Sequence, residues 1–193
     1  MNLQQLIKTE QSKILAKGAD DWNFFAKHVL GANLDKEQRE ILQAVQYESM
    51  VSVCSGVARG KDYLTAVAAL CFLYTTPRWD EKGNLIENTK VILSAPTARQ
   101  IKTVMMPEIS RLHTKMINNG YGWLAGHLTS NFIKTQYDEW FLIGFKSDNN
   151  NVEPWTGLHA SNIFFGITEA TGISENIFSA LEANLQGNSR ILI

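Results

Sequence analysis

Residues 50–62 read Met50-Val-Ser-Val-Cys-Ser-Gly-Val-Ala-Arg-Gly-Lys-Asp62, and this stretch decides the fold class of the chain. Its first five residues are strand-like, and the apolar residues from Tyr63 to about Tyr74 predict a helix. A glycine-containing loop between a strand and a helix places backbone N–H groups at the helix N-terminus, where they bind anions. The stretch therefore predicts a phosphate site.

The loop resembles the P-loop pattern G-x-x-x-x-G-K-[ST] but departs from it at two positions. Gly60 and Lys61 match, whereas Ser55 stands at the first position and Asp62 at the last. Lys61 would supply a positive charge to the β- and γ-phosphates of a nucleotide. An ordinary turn with a surface lysine is the alternative. The predicted nucleotide-binding residues of the loop are Ser55, Gly56, Val57, Ala58, Arg59, Gly60, Lys61 and Asp62.

A second motif ends a predicted buried strand, Ile163-Phe-Phe-Gly-Ile-Thr-Glu-Ala170. In P-loop ATPases such a strand ends in Asp-Glu, with the aspartate near Mg²⁺ and the glutamate against the attacking water. Glu169 fits the second role and is the predicted catalytic carboxylate. Thr168 stands where the acid is expected. In the alternative interpretation, Glu169 only caps the next turn.

The remaining pattern predicts an α/β protein with a mostly parallel sheet flanked by helices on both faces. Residues 1–45 form a predicted N-terminal helical segment, in which Asp35 is the N-cap of a helix through Val45. Residues 46–193 form the predicted P-loop core. The other predicted features are buried strands at 90–95, 162–168 and 189–193, a hairpin at 132–145, a polar turn at 79–88, and a helix after Pro96 that restarts near Pro107.

Composition narrows the function classes. The chain has 193 residues, 45% of them hydrophobic and 19% charged, which excludes a disordered or low-complexity protein. The net charge of −1 provides no global basic field, so any DNA contact needs a local patch. The best candidates are Lys102, Arg111 and Lys115. With neither a signal peptide nor a membrane span in the sequence, we expect a soluble protein of the cytoplasm.

Two further segments support a nucleotide site. Gln38 precedes the P-loop strand, and its amide could read adenine, although a solvated helix glutamine is the simpler interpretation. Thr97, Arg99 and Gln100 follow a core strand and are expected at the carboxyl edge of the sheet, where open α/β folds bind ligands.

These motifs, taken in order, resemble the ATPase domain of phage terminase large subunits, the motors that package viral DNA. The resemblance covers the chain from about residue 20 to its end. The motifs that carry it are Leu-x-x-x-Gln-x-x-Ile-Leu at 34–42, Ser-Gly-x-x-x-Gly-Lys-Asp at 55–62, Ala-Pro-Thr-x-x-Gln at 95–100, Gly-Leu-His-Ala at 157–160 and Thr-Glu-Ala-Thr-Gly-Ile at 168–173.

The resemblance implies a RecA-like core that hydrolyses ATP with Mg²⁺ and translocates double-stranded DNA, in a ring with a portal protein and a small terminase subunit as partners. It implies that Lys61 is the phosphate lysine, Glu169 the catalytic carboxylate, Gln38 the adenine reader, and Arg59 the candidate for an arginine that senses the γ-phosphate. The expected location is the host cytoplasm.

Two departures from the family pattern lead to further expectations. The usual site has a hydroxyl after the P-loop lysine and a carboxylate at the strand end. Here Asp62 carries the carboxylate and Thr168 the hydroxyl, and we interpret them as a swapped pair of magnesium ligands. In the alternative, Thr168 marks a degenerate P-loop module that acts in assembly or DNA docking. A helicase-like ATPase is a third possibility. The chain ends on Ile-Leu-Ile, which suggests a piece of a longer polypeptide without the coupling motif and nuclease, so we expect slow turnover and no DNA cleavage.

Overall fold

The computed structural model describes residues 3–54, 60–147, 155, 157–182 and 187–193. Its strands are β1 (Met50–Val51), β2 (Arg78–Trp79), β3 (Leu85–Glu87), β4 (Thr89–Ala95), β5 (His127–Leu128), β6 (Phe132–Lys134), β7 (Trp140–Lys146), β8 (Asn162–Ile167) and β9 (Asn188–Leu192). Its α-helices are α1 (Leu3–Asp20), α2 (Trp22–His28), α3 (Lys36–Tyr47), α4 (Lys61–Thr75), α5 (Ala98–Gln100), α6 (Met106–Met116), α7 (Gly122–Ala125) and α8 (Glu175–Glu182).

Seven strands form one mixed sheet in the order β1-β9-β8-β4-β7-β6-β5. The neighbours from β1 to β7 run parallel, and the β7-β6-β5 edge is antiparallel. Strands β4 and β8 are buried at every position, as expected for parallel strands covered on both faces. The predicted fold class, a mostly parallel sheet flanked by helices, is confirmed. The division at residue 45 stays a prediction.

Helices cover the two faces unequally. On the first face, α4 lies against the sheet, and the ring centroids of Phe72 on α4 and Phe164 on β8 are 5.6 Å apart. This face holds the larger core, to which the N-terminal helices and α6 also contribute. The second face holds a smaller core that includes Ile92, Phe165 and the buried residues of α8. Because side chains alternate along a strand, Ile92 and its neighbour Leu93 enter opposite cores.

The prediction of a polar turn over residues 79–88 is wrong in its extent. β2 and β3 pair there as a short antiparallel hairpin, and only residues 80–84 turn. Asp80 holds the turn, since its carboxylate accepts hydrogen bonds from the backbone N–H groups of Lys82 and Asn84. Trp79 packs edge-on against Trp140 at 5.2 Å between ring centroids, which gives the hairpin an apolar anchor. Strands of two and three residues are too short for a periodic signal.

The segment after β4 is helical but interrupted. Thr97 caps the short helix α5, residues 101–105 form a π-helical turn, and α6 starts at Met106 with Pro107 in its first turn. Proline suits the start of a helix because its missing N–H would have no partner there. None of the helices in the described ranges combines the length and apolarity needed to cross a lipid bilayer.

Candidate functional site

A cavity of about 290 Å³ opens where the chain leaves β1 and β8 and where α4 begins. Both strands end at the carboxyl edge of the sheet, and β9 lies between them. Residues more than 100 positions apart therefore meet in one site. The lining residues with functional groups are Ser52, Cys54, Lys61, Asp62, Thr65, Thr168, Glu169 and Thr171.

Lys61 lines this cavity as the first residue of α4, and Gly60 precedes it. Gly60 is the N-cap, with φ 72° and ψ 28°, a left-handed conformation that glycine adopts without strain. A Cβ at this position would lie 2.8 Å from Nε2 of Gln38, so a side chain here would also displace the Gln38 amide. The first turn of α4 lines the cavity, and the N-terminus of a helix, with its unpaired backbone N–H groups and the positive end of the helix dipole, favours anions.

Gln38 lies beside the loop and holds the start of its own helix. Its Oε1 accepts a hydrogen bond from the backbone N–H of Asp35 at 3.2 Å, and Asp35 Oδ1 accepts one from the Gln38 N–H at 2.8 Å. This reciprocal capping box brings the Gln38 amide against Gly60. Gln38 lies against Gly60 but does not line the described cavity.

Asp62 is a half-buried carboxyl on the first turn of α4. Its pKa is raised above the ordinary aspartate value, first because burial removes water from the charged form and second because Glu169 carries a like charge nearby. Lys61 opposes this rise without cancelling it. The two carboxyls therefore crowd one site, which a divalent cation would relieve.

Thr168 and Glu169 lie at the end of β8, directly across from α4. The Thr168 N–H donates to the Ser94 carbonyl at 3.1 Å, so the strand pairing continues to this residue, and Thr168 is buried. Glu169 then adopts φ 54° and ψ 46°. Among the residues that the structure describes, it is the only non-glycine residue with a positive φ. Such conformations persist where the surroundings enforce them and are concentrated at functional sites.

The other predicted site residues that the structure describes are not among those that line this cavity. Ser55, Gly56, Val57, Ala58 and Arg59 lie outside the described residues. Thr97, Arg99 and Gln100 were expected at the ligand-binding edge but do not line the described cavity. Thr97 and Gln100 form a capping box at α5, and Thr97 Oγ1 also donates to Gln100 Oε1 at 2.7 Å. These residues follow the carboxyl end of β4, as expected, and their part in ligand binding stays a prediction.

Sequence reasoning missed Thr65. It lies one turn after Lys61 on α4, lines the cavity and donates from Oγ1 to the Lys61 carbonyl at 3.0 Å. Its spacing of four residues from the lysine was the available signal, because residues i and i+4 share a helix face.

Comparisons with known proteins agree with this architecture. No protein-family model matches the chain. A protein of Enterobacteria phage P7 named "Probable terminase, large subunit" is 27% identical over 179 residues, which is 90% of this chain and 34% of the phage protein. The chain thus spans about a third of the length of this curated relative.

Solved structures of terminases share the fold. The large terminase of a thermophilic bacteriophage superimposes with a TM-score of 0.57 at 10% identity, over 83% of this chain and 38% of that one. The Thermus phage P74-26 large terminase ATPase domain gives 0.55 at 16% identity, over 88% and 67%. The resemblance to phage terminase large subunits is confirmed. The fold is the one that terminase ATPase domains have, and the thermophilic bacteriophage terminase has also been solved in complex with ADP, with a TM-score of 0.53 at 13% identity.

Proposed function

We propose that this chain is the ATP-hydrolysing motor domain of a terminase large subunit and that hydrolysis drives double-stranded DNA into a viral capsid. The observation that carries the proposal is the meeting of Lys61 and Glu169 at one cavity, at the start of α4 and the end of β8. The terminase name of the phage P7 relative and the ADP complex of the thermophilic bacteriophage terminase support it.

In this proposal, the protein contributes positioning and charge rather than covalent chemistry. The backbone N–H groups at the start of α4 and the ammonium group of Lys61 hold the β- and γ-phosphates. Glu169 orients a water molecule and accepts its proton as the water oxygen attacks the γ-phosphorus. The bond to the bridging oxygen breaks, and ADP leaves with that oxygen. The exposed position of Glu169 at the cavity suits a residue that must reach a water molecule.

The donor set at this cavity fits a magnesium ion. Mg²⁺ prefers oxygen ligands, keeps several waters and is usually held by one or two carboxylates together with the phosphates of the substrate. Asp62 and Thr168 both line the cavity, and the crowding of Asp62 with Glu169 is the kind of repulsion that a cation offsets. Asp62 would hold the ion, with Thr168 contributing its hydroxyl. When bound, the ion would neutralise phosphate charge.

The remaining roles rest on the resemblance. Gln38 would contact adenine, and Arg59 is the candidate γ-phosphate sensor within the chain. The motor would be a ring in the host cytoplasm, in contact with a portal protein and a small terminase subunit. An arginine donated by a neighbouring subunit is worth roughly 10³–10⁵ in rate, so we expect a monomeric preparation to turn over more slowly than about 1 s⁻¹. We expect no nuclease activity from residues 1–193.

A second candidate function is a degenerate P-loop module that binds nucleotide weakly and acts in assembly or DNA docking. Thr168 is the observation that favours it, because a neutral hydroxyl replaces the usual acid at the end of β8. A helicase-like ATPase would share the same core.

Magnesium-dependent ATP binding tests the proposal, measured by titration of the 193-residue chain and its Lys61→Ala variant. A hydrogen bond to a charged group contributes about 1.5–3 kcal/mol, so Lys61→Ala should weaken ATP binding by roughly 10- to 150-fold. Lys82→Ala, an exposed lysine of the β2-β3 turn, is the matched control and should bind like the parent chain.

Hydrolysis separates the two candidate functions. Glu169→Gln should retain ATP binding and lose phosphate release. A parent chain that binds ATP but releases no more phosphate than Glu169→Gln would favour the degenerate module. An ATP affinity that changes neither with magnesium nor in Lys61→Ala would overturn the proposed site.

A further inference from the structure

Gly172 lies three residues after Glu169 and packs against Pro96. The contact is so close that a side chain at position 172 would overlap the proline. A Cβ on Gly172 would lie 2.7 Å from Cγ and 3.1 Å from Cβ of Pro96. Gly172 does not have a positive φ, unlike Gly60 and six other described glycines. The position therefore requires glycine for space and not for backbone conformation.

The turn that contains Gly172 is the one that holds Glu169. Residues 170–172 form a single 3₁₀ turn, in which the Gly172 N–H donates to the Glu169 carbonyl at 3.0 Å. The next residue, Ile173, donates to the Ala170 carbonyl at 3.0 Å, and its side chain is buried in the smaller core. Glu169 is left-handed at the start of this turn, a conformation that a residue with a side chain adopts only under constraint.

Pro96 provides a rigid wall for the turn. It follows the last residue of β4, whose carbonyl accepts hydrogen bonds from both the N–H and the hydroxyl of Ser147. One residue earlier, the Ser94 carbonyl accepts the hydrogen bond from Thr168. The strand end that carries Pro96 is thus tied on one side to the residue after β7 and on the other side to the residue before Glu169.

We propose that Gly172 is a positioning residue for Glu169, because its contact with the Pro96 ring clamps the 170–172 turn and keeps Glu169 in its left-handed conformation at the cavity. The clamp also links the catalytic turn to the Pro96–Gln100 segment, so that a displacement of either one moves the other. This inference rests on the proposed role of Glu169 in hydrolysis.

The test is a rescue experiment on the 193-residue chain. In Gly172→Ala, the new methyl group overlaps the Pro96 ring, so the turn must shift. A displacement of about 1 Å at a reacting group can cost up to roughly 100-fold in rate. We expect kcat for ATP hydrolysis to fall at least about tenfold, with the KM for ATP changed less than about threefold.

Pro96→Ala removes the Cγ atom that causes the closest overlap. The double variant Gly172→Ala/Pro96→Ala should therefore recover at least about threefold in kcat over Gly172→Ala. Gly122→Ala is the matched control, because its added methyl would meet only Ile117 at 3.6 Å and its φ is not positive. It should hydrolyse ATP like the parent chain.

A second readout does not depend on hydrolysis. The backbone NMR shifts of Glu169 report its left-handed conformation; they should change in Gly172→Ala and return toward the parent values in the double variant. If the parent chain does not hydrolyse ATP but these shifts follow that pattern, the proposed function fails and the clamp stands. Unchanged Glu169 shifts in Gly172→Ala, or a double variant no closer to the parent chain than the single one, would overturn the clamp.

Discussion

Asp62 carries an electrostatic cost in the nucleotide-free chain, because its half-buried carboxyl faces Glu169 and its pKa is raised. The folded chain binds a proton at Asp62 more tightly than the unfolded chain does. Between the ordinary pKa of aspartate and the raised value, stability therefore falls as the pH rises. At neutral pH, a neutral residue at position 62 should stabilise the free chain while weakening its hold on a cation.

The swapped-ligand hypothesis predicts opposite effects of one substitution on magnesium binding and on stability. Suppose that the Asp62 carboxylate binds magnesium in place of the acid usually found at position 168. Asp62→Thr should then lower magnesium-dependent ATP affinity at least about tenfold, because a charged interaction is lost. The same variant should unfold at a higher temperature without nucleotide. Adding Thr168→Asp should restore the magnesium dependence, because the carboxylate then stands on the other side of the same cavity. ATP titrations with and without magnesium measure both steps.

The control for this cycle is Asp138→Thr, which changes an aspartate whose side chain is 90% exposed in the β6-β7 turn. It should leave ATP binding unchanged. The compensation hypothesis is wrong if Asp62→Thr leaves the magnesium dependence intact, or if the double variant binds no better than Asp62→Thr alone.

At the scale of single elements, the start of α3 is linked to the P-loop. The capping box of Asp35 and Gln38 holds the Gln38 amide against Gly60. Replacing an N-cap aspartate by alanine costs about 1 kcal/mol, which lowers Tm by about 2–4 °C in a domain of this size. Asp35→Ala should show this loss in thermal unfolding. ATP binding should weaken as well, because the first turn of α3, which carries Gln38, loses the bond from the Gln38 backbone N–H to the Asp35 carboxylate.

Asp138→Ala is the comparison for the capping effect, since its ion pair with Lys134 is exposed and contributes little. A Tm for Asp35→Ala equal to that of Asp138→Ala would mean that the box does not stabilise α3. A lower Tm with unaltered ATP affinity would mean that the cap supports the helix alone.

The elements that sequence reasoning predicted are those with long, uniform signals. β4 and β8 have apolar centres, at 91–93 and 163–167, and α4 is mostly apolar over three turns. Because the carboxyl ends of parallel strands meet at one edge of the sheet, the sequence could place Lys61 and Glu169 in one site. The hairpin at β2 and β3 was missed because its strands are too short. The contact between Gly172 and Pro96 joins residues 76 positions apart through tertiary packing, which no local pattern encodes.

At the scale of the whole molecule, the net charge of −1 limits any contact with DNA. Of the three predicted cations, Arg111 forms an ion pair with Glu108 at 3.1 Å, and Lys115 donates to the Gly31 carbonyl at 3.2 Å. Both interactions would compete with phosphate. Three phosphate contacts give a slope near −2.7 in log affinity against log salt, or roughly 40-fold between 50 and 200 mM. We expect weak binding of double-stranded DNA with a salt dependence no steeper than this.

Fluorescence anisotropy with a labelled duplex measures that slope, and Lys102→Glu should reduce it by about one if Lys102 contacts a phosphate. Lys82→Glu, which changes the exposed lysine of the β2-β3 turn by the same charge, controls for net charge. Tight binding that barely changes with salt would exclude this electrostatic surface.

Helix α4 is enclosed on every side, since all residues from Leu64 to Tyr74 are buried. The outer helix α6 differs, because its buried residues Ile109, Leu112 and Met116 alternate with exposed ones such as Arg111. In a library of random single substitutions, tolerated positions in α6 should therefore recur at the helical period. Across codons 64–74 that period vanishes. Variants selected for a folded protein should be depleted at every one of these positions, in one uninterrupted block that begins three residues after Lys61.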